Sequence, residues 1–345
     1  MRRLPIYFVL DCSESMIGDG IAKMEAGLRA ICRDLRTDPN ALETVFVSVI
    51  GFAGIAKPIV PLVELLSFSL PALPLGAGTN LGAALDVLTG ELDRNIQATT
   101  SERKGDWRPI IYLFTDGRPT ESPSAAVARW KSTKWARSPM IGVGFGSSAD
   151  LSVLRQLTET VVLYSGANQS DFNKFVKWVS ASVTLQSTRV SDTGDSPVAP
   201  LDPSVMKLVK DAKAIDVDDN IVTVVGRCSR TSKPYILKYD AIPATIPGTG
   251  ISYGSNSFTY DKSFPINEDY FTWSDNARQA LSVNTAALAG FPTCAHCDNR
   301  YGLALCSCGA VICVAGTDEV VQCPWCKQSN VFNQSGNFDV GRGIG

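Results

Sequence analysis

The chain has 345 residues, of which 45% are hydrophobic and 19% charged, with a formal net charge of −2. That length accommodates two domains with a sizeable core, and the composition is that of a soluble globular protein. The near-neutral balance gives no reason to expect a polyanionic partner, and no apolar stretch is long enough to span a membrane.

The first apolar run, Leu4-Pro5-Ile6-Tyr7-Phe8-Val9-Leu10, follows Arg2-Arg3 and could be mistaken for a secretory signal. It is short, contains Pro5 and ends against Asp11, so it reads as a buried core strand and implies a cytoplasmic protein. Asp11-Cys12-Ser13-Glu14-Ser15 comes next, with a carboxylate and two hydroxyls at alternate positions. Alternate residues leaving a strand point the same way, so Asp11, Ser13 and Ser15 can converge on a small hard cation, Mg²⁺ or Mn²⁺. Glu14 reads either as a solvated loop residue or as an added negative charge beside that cation.

From Gly20 to Leu35, the residues Ile21, Met24, Leu28, Ile31 and Leu35 fall on one helical face. Residues 44–52 form a β-branched apolar strand. Thr79 lies in the glycine-rich turn Gly76-Ala77-Gly78-Thr79-Asn80, ahead of a helix over 81–92. Asp116 ends the apolar run 110–115 and is followed by Gly117, a position where open α/β sheets bind ligands. A helix over 124–130, a strand over 140–145, a helix over 149–157, a strand over 161–164 and a helix over 171–185 complete the alternation. Such alternation predicts a doubly wound, mostly parallel α/β sheet covered on both faces.

The combination D-x-S-x-S, Thr79 and Asp116-Gly117, in this order, resembles the metal-ion-dependent adhesion site of von Willebrand factor type A domains over residues 1–186. The resemblance implies a cation held by Asp11, Ser13, Ser15, Thr79 and Asp116. Several glycines recur at Gly76-x-Gly78 and Gly142-x-Gly144-x-Gly146, but neither completes a dinucleotide fingerprint.

From 187 to 204 the composition turns to Ser, Thr, Asp, Gly and Pro, which marks a linker. A β-rich domain is expected over 205–335, with strands at 220–226 and 233–239, and a flexible tail over 336–345. Seven of the ten cysteines lie between Cys294 and Cys326. Cys294-Ala295-His296-Cys297 and Cys323-Pro324-Trp325-Cys326 have the spacing of zinc knuckles, and Cys306, Cys308 and Cys313 lie between them. With His296, the only histidine, these are eight potential ligands, enough for two tetrahedral ions. One ion on Cys294, Cys297, Cys323 and Cys326 would make a ribbon; two ions would interleave the pairs, and spacing alone leaves one or two Zn²⁺ open. Around 291–330, with few large side chains, metal is expected to supply folding free energy. That stretch has only Arg300 and Lys327 against Asp298, Asp318 and Glu319, which argues against direct nucleic-acid contact.

The whole arrangement resembles the TerY-like proteins of bacterial tellurium-resistance and stress-response systems. The specific parts are Asp11 to Met16, Gly226-Arg227-Cys228-Ser229, Lys233-Pro234-Tyr235, Cys306-Ser307-Cys308-Gly309 and Cys323-Pro324-Trp325-Cys326. The resemblance implies a cytoplasmic scaffold working with a serine/threonine kinase and a metal-dependent protein phosphatase. Around the cation, the expected partner group is an acidic side chain filling an open coordination position. The competing readings are a metal-dependent hydrolase, which lacks a histidine or a nucleophile–base pair near Asp11 and Asp116, and a non-contacting subunit of a nucleic-acid-processing complex.

Overall fold

A computed structural model describes residues 2–116, 119–145, 151–164, 169–188, 198–204, 206–208, 221–242, 257–275, 281–316, 320–332 and 336–343. Gly117, half of the linker (189–197) and Gly146 therefore lie outside the described residues. The chain divides into two compact units, Met1–Asp216 and Val217–Ile344.

The first unit runs β1 (Leu4–Asp11), α1 (Asp19–Leu35), α2 (Pro39–Thr44), β2 (Val45–Phe52), β3 (Ala56–Glu64), α3 (Leu81–Asn95), β4 (Ile110–Thr115), α4 (Ser124–Ser132), β5 (Met140–Phe145), α5 (Ser152–Leu157), β6 (Thr160–Tyr164), α6 (Gln169–Thr188) and β7 (Met206–Leu208). Its sheet has the order β3-β2-β1-β4-β5-β6-β7, with β2, β1, β4, β5 and β6 parallel and β3 and β7 antiparallel at the two edges. Strand alternation feeds two cores. Leu4, Ile6, Phe8 and Leu10 of β1 join α1 and α6 on one face, while Tyr7 and Val9 join α3 and α4 on the other. This is the doubly wound α/β fold expected from the sequence.

The order reverses at β1: β2 lies on one side and β4 on the other. The carboxyl ends of β1 and β4 therefore flank the topological switch point, where open α/β sheets leave a crevice for ligands. Asp11 ends β1, and Asp116 follows β4 directly.

The boundary between units falls later than the change in composition suggests. Of the expected linker, residues 189–197 lie outside the described residues, but the part from Val198 to Ser204 is bound to α6. The Trp178 indole donates to Ala199 O at 2.8 Å, and Ala199 N donates to Ser182 Oγ at 2.9 Å. Met206–Leu208 then adds an edge strand to the first sheet rather than opening the second domain.

The second unit is β-rich. It runs β8 (Ile221–Arg227), β9 (Pro234–Ala241), β10 (Phe258–Pro265), α7 (Asp269–Trp273), β11 (Leu281–Asn284), β12 (Leu288–Ala289), β13 (Tyr301–Leu305), β14 (Val311–Val314), β15 (Val320–Gln322), β16 (Ser329–Val331) and β17 (Asp339–Arg342). A six-stranded sheet has the order β12-β10-β9-β8-β14-β13, and β11–β17 and β15–β16 form two ribbons. Tyr235 is fully buried, and its hydroxyl donates to Gly302 O at 2.6 Å. Its ring occupies the space where any side chain at position 226 would sit, which accounts for Gly226. The expected flexible tail is corrected here: Asp339–Arg342 pairs antiparallel with β11, and Val340 is buried against Val283 and the β8–β9 core.

Candidate functional site

The oxygen site is built from three loops at the switch point. After β1, Cys12 N donates to Phe52 O and Gly76 N donates to Cys12 O, so the first loop is held between β2 and the glycine-rich turn. Ser13 bridges to Gly76, and Glu14–Met16 forms a single 3-10 turn. Ser13 N donates to Asp11 Oδ1 at 3.0 Å, and Thr115 Oγ1 donates to Asp11 Oδ2 at 2.6 Å, which fixes the carboxylate from both sides. Ser13 Oγ and Ser15 Oγ lie 3.0 Å apart, and Ser15 Oγ donates to Asp116 Oδ1 at 2.9 Å. Asp11, Ser13, Ser15 and Asp116 are thus joined in one hydrogen-bonded chain.

Thr79 reaches the same end of the sheet through backbone contacts. Gly78 has φ +93°, a conformation that glycine adopts without strain. Thr79 N donates to Thr120 Oγ1, Thr120 N donates back to Thr79 O, and Asn80 caps α3 by accepting from Ala83 N. These contacts tie the glycine-rich turn to the loop that follows Asp116.

Asp11, Ser13 and Thr79 are buried, at 0%, 0% and 1% exposure. Burial pushes the Asp11 carboxyl up to about 6, against the pull of the Ser13 and Thr115 hydrogen bonds. A carboxylate stripped of water favours an opposite charge beside it, yet Asp11 has no ion pair among the described residues. Thr79 Oγ1 is buried without a hydrogen-bond partner among the described residues, and leaving such a hydroxyl unmet costs about 1–3 kcal/mol. Two carboxylates and three hydroxyls are hard donors of the kind Mg²⁺ takes, so the residues present fit a cation. Glu14 is also buried, which corrects the expectation of a solvated side chain there.

The cysteines form two separate sets, each with its sulfurs within 4.8 Å of one another. The inner set is Cys228, Cys294, Cys297 and Cys313; the outer set is Cys306, Cys308, Cys323 and Cys326. The ribbon of Cys294, Cys297, Cys323 and Cys326 is therefore not formed, because each C-x2-C pair joins a different set. The hairpin β13–β14 explains the interleaving. Cys306 and Cys308 leave β13 towards the outer set, and Cys313 returns on β14 to the inner one.

Within the sets, Cys297 and Cys313 sulfurs lie 3.7 Å apart, Cys306 and Cys326 3.8 Å, and Cys308 and Cys323 4.0 Å. A Zn–S bond of about 2.3 Å in a tetrahedron gives an S–S edge of about 3.8 Å. The donor chemistry and the spacing both suit zinc. Within the inner set one proton is shared unevenly: hydrogen bonding from the Cys294 thiol, opposed by burial, brings Cys313 down to about 4, and the same hydrogen bond raises Cys294.

Cys228 is the ligand candidate that spacing did not single out. The turn Cys228–Lys233 has the backbone of the two C-x2-C knuckles. Ser232 N donates to Cys228 O, as Asp298 N does to Cys294 O and Lys327 N to Cys323 O; Ser232, Asp298 and Lys327 all have φ near +60°. Thr231 occupies the place of a second cysteine, and its N–H donates to Cys228 Sγ at 3.4 Å. Further N–H donors face the sulfurs, with Ser229 N on Cys313 at 3.3 Å and Asn330 Nδ2 on Cys306 at 3.3 Å. Such contacts orient metal ligands. His296 joins neither set; its Nε2 lies 2.8 Å from Pro234 O and donates to it. The Arg227 guanidinium lies over Trp325 at 4.5 Å and Phe271 at 4.9 Å and pairs with Glu268.

Comparisons with known proteins agree with this division. Residues 6–179 match the von Willebrand factor type A domain family, and residues 218–345 match the TerY-C metal binding domain. No curated protein matches the chain. Among solved structures, it is similar to the ArnB paralog VWA2 from Sulfolobus acidocaldarius, with 16% identity over 53% of this chain and 45% of that one, at a TM-score of 0.38. It is also similar to proximal thread matrix protein 1 from the mussel byssus with a zinc occupied MIDAS motif, with 17% identity over 52% of this chain and 46% of that one, at a TM-score of 0.35. The SpRpn10 VWA domain matches with 13% identity over 51% of this chain and 95% of that one, at a TM-score of 0.37. The chain spans about half the length of the first of these structures. Among the described residues, no helix is long and apolar enough to cross a membrane. Von Willebrand type A and TerY-C domains are typically non-catalytic modules for interaction and metal binding, and the chain belongs to the von Willebrand factor type A domain family, with a TerY-C metal binding domain following it.

Proposed function

We propose that this chain is a metal-dependent protein-binding scaffold whose adhesion site captures an acidic side chain of a partner. Ser13, Ser15 and Thr79 would hold Mg²⁺ (or Mn²⁺) directly, and Asp11 and Asp116 partly through water, leaving a position for the partner's carboxylate. The observation that carries this reading is the buried Thr79 hydroxyl, with no hydrogen-bond partner among the described residues, at the end of the sheet where the Asp11 carboxylate is also buried. The cation supplies a fixed positive charge there. This chain's own residues position it and keep water from one side of it.

The cysteine sets would each hold one Zn²⁺ and make the second unit a structural or protein-facing module. A non-enzymatic role fits the side chains around Asp11 and Asp116, which offer hydroxyls but no imidazole, His296 belonging to the other unit. None of the ten cysteines is in a disulfide, which suits a reducing compartment such as the cytoplasm. Resemblance to the TerY-like proteins supports a serine/threonine kinase and a metal-dependent phosphatase as the partners, within a tellurium-resistance-like stress response.

The test is co-purification from native cytoplasm with tagged wild type and tagged Asp11→Ala, alongside calorimetric titration of each with Mg²⁺. Mg²⁺ binding and the partner should both be lost in the variant, and the wild type should release the partner into EDTA. Capture that survives both the substitution and the chelator would show that the partner binds elsewhere.

A further inference from the structure

The two sulfur sets differ in access. In the inner set Cys228, Cys294 and Cys313 are buried and only Cys297 is half-buried, whereas in the outer set Cys308 is exposed. Cys308 precedes Gly309, which turns at φ +83° and has open space on the side where a Cβ would project. A small polar oxidant therefore meets the Cys308 sulfur without any movement of the fold. Cys323, by contrast, is buried, with its sulfur 4.0 Å from that of Cys308. A disulfide needs the sulfurs about 2.05 Å apart, so closing this pair takes about 2 Å of side-chain motion at a turn with free space beside it.

We propose that Cys308 is a peroxide-oxidation site, and that forming a Cys308–Cys323 disulfide empties the outer metal site while the inner one stays loaded. The proposal rests on the zinc reading of the cysteine sets. In the first step the Cys308 thiolate attacks one oxygen of hydrogen peroxide. The S–O bond forms, the O–O bond breaks and hydroxide leaves, so Cys308 becomes a sulfenic acid. In the second step the Cys323 thiolate attacks the Cys308 sulfur, the S–S bond forms and a second hydroxide leaves. Two sulfurs have lost one electron each, and the two peroxide oxygens have gained them. The outer set then offers two thiolates instead of four, and a tetrahedral ion is no longer held. A thiol reductant reverses the second product and restores all four ligands.

The inner set resists the same chemistry for a geometric reason. Three of its four cysteines are buried, and Ser229 N donates to the Cys313 sulfur and Thr231 N to that of Cys228. Cys12 and Cys32, both buried in the first unit, serve as internal controls.

The experiment treats the zinc-loaded full chain with hydrogen peroxide, reads released zinc with a chromogenic chelator, and maps remaining thiols by alkylation and mass spectrometry. Two ions per chain should be present at the start, one should be released, and its release should track a Cys308–Cys323 disulfide. Cys308→His keeps a zinc ligand but removes the oxidisable sulfur, so release should slow about tenfold or more. A starting protein without zinc overturns the zinc reading and this proposal with it. Full loading followed by loss of the inner ion first, by zinc release with Cys308 still reduced, or by wild-type release rates in Cys308→His overturns this proposal alone.

Discussion

The oxygen site and the sulfur sets stand in opposite relations to the fold around them. The first sits at the carboxyl ends of the central strands of a seven-stranded sheet whose two cores are complete without it. Its donors are placed by strand ends that apolar packing has already fixed. The sulfur sets are part of the core they stabilise: Cys228, Cys294 and Cys313 belong to one small apolar cluster, and Cys306 and Cys323 to another of five buried residues. A cation would complete the first unit's surface, whereas zinc would hold the second unit's turns together. The same element of chemistry, a metal site, is an attachment in one region and scaffolding in the other.

Removing metal should therefore have very different effects on the two units, and zinc removal gives the largest one. Stripping zinc should unfold the second unit, since structural zinc contributes on the order of 10 kcal/mol. Hydrogen exchange should show loss of protection over 221–342 with β1, β4 and β5 still protected. Equal loss in both units would break the comparison. Next in size is Cys228→Ser, which should lower zinc content from two ions to one, while His296→Ala keeps both, as read by metal analysis of the purified chains. Retention of two ions in Cys228→Ser would take Cys228 out of the inner ligand set.

Smaller effects belong to the oxygen site. Thr79→Val removes a buried hydroxyl that has no partner, so the metal-free first unit should gain about 1 kcal/mol while Mg²⁺ binding is lost. Denaturant melts with and without Mg²⁺ check both halves. Asp11 titrates at about 6 in the fold because of burial, against an ordinary 3.8. Between those values the native state binds more protons than the unfolded state, so the metal-free unit should lose stability as pH rises from about 4 through about 6. Mg²⁺ competes with that proton, and its apparent affinity should fall as pH drops below about 6. The smallest effect is Arg227→Met, which removes the stacking on Trp325 and Phe271 and should cost about 1 kcal/mol in thermal melts of the zinc-loaded protein.

What could be read from the sequence follows the same division. The alternation of apolar runs and helical faces made the first unit's architecture legible, because β1, β4 and β5 are buried on both faces and α1 carries one unbroken stripe. β3 was not legible, since Pro58 and Pro61 interrupt a run that is half exposed at the sheet edge. In the second unit the C-x2-C spacing marked the knuckles but carried no information on which pair meets which. That choice is made by the β13–β14 hairpin, a tertiary feature. Cys228 was hidden because Thr231 stands where a second cysteine would have announced the turn. Asp339–Arg342 is hard to read as a strand because the four glycines of 336–345 outweigh Val340, the one residue that β17 buries.

The interleaved hairpin also sets the order in which the second unit can assemble. Bringing Cys306 to Cys326 closes a short stretch of chain, whereas bringing Cys228 to Cys313 closes one about four times as long, which costs about 1 kcal/mol more in chain entropy. The outer knuckles can meet while the rest is still unstructured, and the inner set must wait for β8, β9 and β14 to pair. The site that closes first is the one most open to water, and the site that closes last is the most deeply enclosed. Order of gain and order of loss would then not be mirror images: the ion acquired early would also be the ion surrendered early, and the late one would lock the unit.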